Sequence, residues 1–489
     1  MSPQKIIIDT DPGIDDVLAI LLAFSSLPEE LEVLLISVTY GNIDLQNCLR
    51  NVISLFYYVE KEIAWRESIG RNPGFETLRN SKPVVAVGTE HPLTDNMMMA
   101  DFYGKLACGM NLTKSSPWFQ TDEMDLHPRL TPAETWQRVF EVAQKSSAPE
   151  QGLIAEEMNK TTSLFIRSET PAHLEILKLL RDNEPNSITI VAIGPMTNLA
   201  LAAAEDPETF LKVKEIVVMG GNIDQAGKVG YQPPSHLKQV PNIEEPPFRL
   251  IKQAPSPIRD SLNIRNQTAP IADFNTYADT VAAARVYALT SPKPHATMPP
   301  TTPSPLNQKE GVSPAPLLPS YPESLSKQLN VTLFPLDITE KHMLTRGELE
   351  ASLKPQQAAK SPLAEWVLAF MSSSFEKVKS LNPEISGDAL SLQLHDPMTI
   401  WYCMDNENPN WNIVEGEDLR VETTGQWTKG MLVTGQRNRK QKQDDDASEA
   451  PGNTDGWLTS GAGNRLNRCV GSPGQDIFGQ LLLKRVFGS

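Results

Sequence analysis

The sequence predicts an α/β fold with a mostly parallel central sheet, helices on both faces and several loop insertions. Three observations predict it. Short, apolar, β-branched runs alternate with helical stretches, the alternation resumes after each interruption, and an acidic cluster stands where the first run ends. Strand–helix alternation of this kind builds parallel sheets covered on both faces.

In order, residues 5–9 form the first strand, and residues 14–24 form a helix with Val17, Leu18, Leu21 and Leu22 on one stripe. Strand 33–39, helix 48–60 and strand 83–87 follow, and the pattern returns with strand 187–193, helix 198–204 and strand 215–219. Helix 280–289, strand 331–336 and helix 362–379 continue it. Four stretches do not fit a compact sheet: 112–166 (polar, weakly patterned), 222–265 (Pro, Gln and charge), 290–325 (ten prolines) and 436–466 (a basic run, three Asp and Gly/Ser). Such compositions favour solvated, extended chain. No internal repeat is present, so residues 1–489 read as one domain carrying four insertions.

Of 489 residues 40% are hydrophobic, enough for a sizeable core, and the formal charge is −16. A surface that negative repels phosphate backbones, which argues against nucleic acid as a partner. No run reaches the roughly 20 apolar residues of a membrane span, and the residues before Ile6 offer no export signal. Cys48, Cys108, Cys403 and Cys469 are scattered without CxxC spacing and read as reduced thiols. These features together place the protein in the cytoplasm, with the nucleus as a second compartment.

The most informative stretch is Asp9-Thr10-Asp11-Pro12-Gly13-Ile14-Asp15-Asp16. It begins where a buried strand ends, at the carboxyl edge where such sheets bind ligands. Asp15 and Asp16 fall in a first helical turn, whose dipole tolerates carboxylates. Four carboxylates within eight residues repel one another, and a bound cation is the simplest compensation. Oxygen donors without neighbouring Cys or His favour Ca²⁺ or Mg²⁺. A strand-borne DxD also opens the aspartyl phosphatases, with Asp9 as nucleophile, although Pro12-Gly13 and the Asp15-Asp16 pair depart from that pattern.

The motif resembles the N-terminal DxDPGxDD of the inosine–uridine-preferring nucleoside hydrolases. Further landmarks follow in the family's order: Val38-Thr39-Tyr40-Gly41-Asn42, Ile193-Gly194-Pro195-Met196-Thr197-Asn198-Leu199-Ala200 and Val218-Met219-Gly220-Gly221. Ala272-Asp273-Phe274-Asn275, Leu336-Asp337-Ile338-Thr339 and His395-Asp396-Pro397 complete the series. The resemblance implies calcium-dependent hydrolysis of a nucleoside's N-glycosidic bond. It implies that Asp11, Asp16, Asp396 and the Ile193 carbonyl ligate Ca²⁺, and that Asp11 takes the proton of the attacking water. Asp15, Asn42, Asn275 and Asp396 would bind substrate, Asp273 would replace the family's Glu at the 5′ hydroxyl, and His395 would stand near the departing base. Asn266 is the candidate for a further family Asn, and Tyr103-Gly104 stands where His-Gly is common. The implied partner is a small-molecule nucleoside, with room for a homo-oligomer. A non-catalytic ribose- or nucleoside-binding protein is the third reading, since insertions could distort the site.

Overall fold

In the computed structural model, the structure describes residues 3–93, 164–224, 271–299, 318–435, 457 and 461–488. Most of the four stretches expected to be insertions therefore lie outside the described residues, as do Tyr103, Cys108 and Asn266.

Nine strands form one sheet. They are β1 (Gln4–Thr10), β2 (Leu31–Val38), β3 (Val84–Val87), β4 (Ile166–Arg167), β5 (Ile188–Ala192), β6 (Glu215–Met219), β7 (Val331–Phe334), β10 (Asn412–Glu417) and β13 (Leu466–Gly471). Their order across the sheet is β10-β13-β7-β6-β5-β1-β2-β3-β4. Every neighbouring pair is parallel except β10 with β13 at one edge. Two small antiparallel pairs stand apart, β8 (Met343–Thr345) with β9 (Ser391–Gln393) and β11 (Leu419–Val421) with β12 (Leu432–Thr434).

The central strand shows why the apolar runs are continuous. Ile6, Ile7 and Ile8 are all fully buried, but Ile6 and Ile8 join one core and Ile7 the other. Successive side chains point to opposite faces, so a strand covered on both sides needs an apolar residue at every position. Helices α1 (Ile14–Phe24) and α2 (Leu45–Ser68) contribute to the first core. On the other face lie α4 (Ala172–Asp182), α5 (Thr197–Glu205) and α8 (Thr280–Ala288); α3 (Glu76–Asn80), α6 (Pro207–Phe210) and α7 (Phe274–Ala278) are short. The chain then adds α9 (Leu336–Thr339), α10 (Arg346–Ala358), α11 (Pro362–Leu381), α12 (His395–Met404) and α13 (Gln475–Phe487). All five line the first core, α9 through Leu336 and Ile338 and α10 through Leu349 and Leu353.

The fold class matches the sequence reading, with local differences. The strand expected over 331–336 stops at Phe334, because Pro335 cannot donate to the ladder and a one-turn helix begins at Leu336. Helices 172–182, 346–358 and 475–487 and strand 466–471 went unread. Residues 461–466 do not behave as loose chain: Asn464 is 2% exposed, and its side-chain amide donates to the Leu419 carbonyl at 2.7 Å. Cys48, Cys403 and Cys469 are buried free thiols, and among the described residues no helix is long and apolar enough to cross a membrane.

Strand order reverses beside β1: the chain runs from β1 through β2 and β3 in one direction, then returns to β5 on β1's other flank and proceeds to β6 and β7. Beyond the carboxyl ends of strands that diverge this way, a crevice opens for ligands. Residues 9–16 and 193–198 lie at that point.

Candidate active site

Asp11 follows β1 and is fully buried. Its Oδ2 accepts the Asn42 backbone N–H at 2.6 Å, while Oδ1 is buried without a hydrogen-bond partner. Two glycines make this possible. A Cβ on Gly41 would collide with Oδ2, and one on Gly194 would lie 2.6 Å from Oδ1. Burial pushes the Asp11 carboxyl well above the usual range, and the charges of Asp16 and Asp15 push it further.

Asp15 and Asp16 occupy the first turn of α1, and Asp396 that of α12; the two helices pack against each other. This crossing brings residues 15, 16 and 396 together, with one carboxylate oxygen of each within 4.8 Å of the others. Asp16 is tightly held. Its Oδ1 accepts the Thr10 hydroxyl at 2.6 Å, and Oδ2 accepts the Gly13 N–H at 2.9 Å and the Asn42 side-chain amide at 3.0 Å. The Asp16 and Asp396 carboxyls also share a hydrogen bond, and both are pushed upward by burial and then by like charge, Asp15 foremost. Two helix N-termini offset this crowding only in part.

Of the four expected ligands, Asp16 and Asp396 meet here, and Asp15 rather than Asp11 completes the trio. Asp11 stands beside it: the Asn42 amide bridges the Asp11 carbonyl (3.1 Å) and Asp16. Among the described residues, no other group of three or more His, Cys, Asp or Glu side chains lies close enough to hold an ion. The donors are all oxygen, and Asp11 Oδ1 lacks any protein donor, so the residues suit a hard divalent cation. The Ile193 carbonyl, the fourth expected ligand, accepts the Asn275 amide at 2.9 Å.

The remaining expected contacts are placed as follows. The Asn275 amide also donates to the Met219 carbonyl at 3.1 Å, so its nitrogen braces backbone. Asp273 caps α7 by accepting the Thr276 N–H at 3.0 Å; its Oδ1 is buried and unpartnered, and burial raises its pKa. His395 is 7% exposed; Nδ1 lies 2.7 Å from the Thr339 hydroxyl, and Nε2 has no partner.

Asp9, the nucleophile of the phosphatase reading, is fully buried. Its Oδ1 accepts the Ser37 hydroxyl and the Asn198 amide (2.9 Å), and burial lifts its pKa to about 7. A carboxyl sealed in this way offers no in-line access to a phosphoryl group. The sequence reading missed three supports, Thr10, Asn198 and Thr339, although all lie inside its motifs. It also missed Asn51, whose amide donates to the Pro12 carbonyl at 2.7 Å and braces the Pro-Gly turn. A polar residue buried inside a motif was the available signal.

Comparison with known proteins places the chain among relatives. Uridine nucleosidase 1 of Arabidopsis thaliana is 32% identical over 228 residues, 46% of this chain and 47% of that protein, so the chain spans about half of that relative's length. An inosine-uridine preferring nucleoside hydrolase of Crithidia fasciculata is 23% identical over 437 residues, 89% of each chain. Among solved structures, a plant nucleoside hydrolase superposes with a TM-score of 0.55 at 18% identity over the whole of both chains, a likeness of fold. The sequence profile described as inosine-uridine preferring nucleoside hydrolase matches residues 6–451. With nine-tenths of its length under that profile, the chain belongs to the inosine-uridine preferring nucleoside hydrolase family.

Proposed function

We propose that this protein, a single α/β domain with four insertions, hydrolyses the N-glycosidic bond of a ribonucleoside in the cytoplasm, releasing free base and ribose. The observation that carries the reading is the convergence of Asp15, Asp16 and Asp396 beside the unpartnered Asp11 oxygen, at the point where strand order reverses.

Asp11, Asp16, Asp396 and the Ile193 carbonyl would hold Ca²⁺, which when bound supplies positive charge for orienting ribose hydroxyls and acidifying water. Asp11 takes a proton from the attacking water as its general base. Asp15, Asn42, Asn275 and Asp396 grip the ribose hydroxyls and remove orientational freedom from the step. Asp273 sits next to the close backbone of Gly220 and serves the 5′ hydroxyl. As the anomeric carbon–nitrogen bond breaks, its electron pair leaves with the base, and the carboxylates favour the cationic sugar. His395 eases that departure.

A panel of nucleosides assayed for released base, with EGTA and then with added calcium, tests the reading. Release should stop on chelation and return with calcium. Turnover by rigorously metal-free protein would overturn the role of the ion, and failure to open any riboside would overturn the function.

A further inference from the structure

Groups assigned to the site arrive on loops far apart in the chain: Asn42 after β2, the Ile193 carbonyl after β5 and Asn275 on α7. A buried polar chain, none of whose side chains has a role in the proposed reaction, joins these loops. Asp279 follows α7 and caps α8; it is 1% exposed, and its Oδ1 accepts the Ala282 N–H at 2.9 Å. Its Oδ2 accepts the Leu93 N–H at 2.9 Å and the Thr197 hydroxyl at 2.8 Å. Thr197 opens α5 just beyond Ile193 and is fully buried. Its hydroxyl oxygen lies 3.2 Å from that of Tyr40, which is also fully buried and stands 3.5 Å from the Ala278 carbonyl.

The direction of each bond follows from the carboxylate. An ionised carboxylate only accepts, so the Thr197 hydroxyl donates to Asp279. Its single hydrogen is then spent, and only its lone pairs face Tyr40. The Tyr40 hydroxyl therefore donates and Thr197 accepts, an arrangement that satisfies every hydroxyl hydrogen in the chain. Val and Phe would fill the same volume with no hydrogen bond to complete. A buried polar chain that is fully satisfied specifies one arrangement, where apolar packing of the same shape tolerates several.

The register so specified is that of Asn42. From Tyr40 the backbone runs through Gly41 to Asn42, whose N–H donates to Asp11 Oδ2 at 2.6 Å and whose side-chain amide reaches the Asp11 carbonyl and Asp16. Gly41 leaves little slack, because a Cβ there would lie 2.9 Å from Pro195 Cδ, in the turn between Ile193 and Thr197. On the α7 side the Asn275 amide donates to the Ile193 carbonyl at 2.9 Å. The same loops are thus joined twice, once by a residue of the site and once by Asp279, Thr197 and Tyr40.

We propose that Asp279, Thr197 and Tyr40 are positioning residues that hold Asn42 in register with Asp11 and Asp16, so that the grip on ribose is assembled before substrate arrives. The inference rests on the hydrolase reading for what Asn42 grips, but not for the register of Asn42 itself.

Three variants and two measurements test this. Thr197→Val keeps the shape and breaks the chain at its middle, Tyr40→Phe removes its end, and Thr197→Ser keeps the hydroxyl. In the valine and phenylalanine variants the Asn42 backbone amide should exchange its hydrogen about 10-fold faster than in the parent, while Ile7, in the central strand, should stay within about threefold. With a nucleoside that the parent opens, kcat/KM should fall by about 10-fold or more in both. Thr197→Ser should remain within about threefold of the parent in both measurements. An Asn42 amide that quickens no more than Ile7, an unchanged kcat/KM, or a serine variant as impaired as the valine one would each overturn the proposal. If Thr197→Val does not fold, Tyr40→Phe and Thr197→Ser carry the same two measurements. A parent that opens no riboside would remove the hydrolase reading alone, because amide exchange reports the register without turnover.

Discussion

At Asp11 a carboxylate oxygen is sealed from solvent and given no hydrogen, while a second carboxyl, Asp16, sits close enough to raise its proton affinity. Desolvating such a group without a partner is costly, and Gly41 and Gly194 lie so close to its two oxygens that neither position has room for a Cβ. Asp11→Asn removes the charge with little change of shape. We expect turnover to fall by about a thousandfold, within the range for a lost general base. The calcium-free variant should melt at a higher temperature than the parent, since one member of a like-charged cluster is gone. Steady-state kinetics and calorimetry check both; unchanged turnover removes Asp11 from the chemistry. Asp16 responds differently, because Thr10, Gly13 and Asn42 already supply it with three hydrogen bonds.

The strand ends are joined below the site by one side chain. Asn198, at the start of α5, donates to Asp9 on β1 and to Ser37 on β2, and its carbonyl oxygen accepts the Thr89 N–H, just past β3, at 3.1 Å. Gly88 lies so close that a Cβ there would strike the Asn198 amide. Asn198→Ala removes hydrogen bonds to buried Asp9 and Ser37 and to half-buried Thr89, and should cost about 2–4 kcal/mol of stability, at roughly 1 kcal/mol or more for each. Chemical denaturation measures it, and a loss below about 0.5 kcal/mol would reduce Asn198 to a spectator. Elements of this central region were legible because continuous Ile and Val runs admit few other readings: β6 and α1 have the bounds their patterns suggested. Strand 466–471 was not, since Leu466 and Cys469 are its fully buried residues and Asn467 and Arg468 stand between them. Asp16 and Asp396 are 380 positions apart, and no local spacing reveals that α1 and α12 cross. Family resemblance supplied that pairing. The N-cap of Asp273 is local, by contrast, and the polar Asp-Phe-Asn-Thr sequence carries a capping signal.

Across the whole molecule, the formal charge of −16 and the raised carboxyls act together. Asp9 is lifted from 3.8 to about 7, and Asp11, Asp16 and Asp396 are lifted first by burial and then by neighbouring carboxylates, Asp15 among them in each case. Each raised group holds a proton in the folded state at pH values where the unfolded chain has released it. Stability contributed this way is present at low pH and falls as pH rises through the folded pKa. The calcium-free protein should therefore lose melting temperature between about pH 5 and about pH 7.5. Saturating calcium should remove the part due to Asp11, Asp16 and Asp396 and leave that of Asp9. Scanning calorimetry in EGTA and in calcium resolves the two; a rising melting temperature over this interval without calcium would contradict the assignment.

The family profile ends at residue 451, yet β13 inserts between β7 and β10 through Asn467↔Thr332 and Arg468↔Leu333, and α13 follows it with Phe478, Leu482 and Val486 fully buried. A chain cut at residue 465 would expose the flank of β7 as a naked template with unspent backbone donors and acceptors. Such a flank recruits strands from other molecules. The shortened protein should therefore come out of solution as oligomers visible by light scattering, and trimming a recombinant version to the recognisable family region would turn a closed sheet edge into a seed for aggregates.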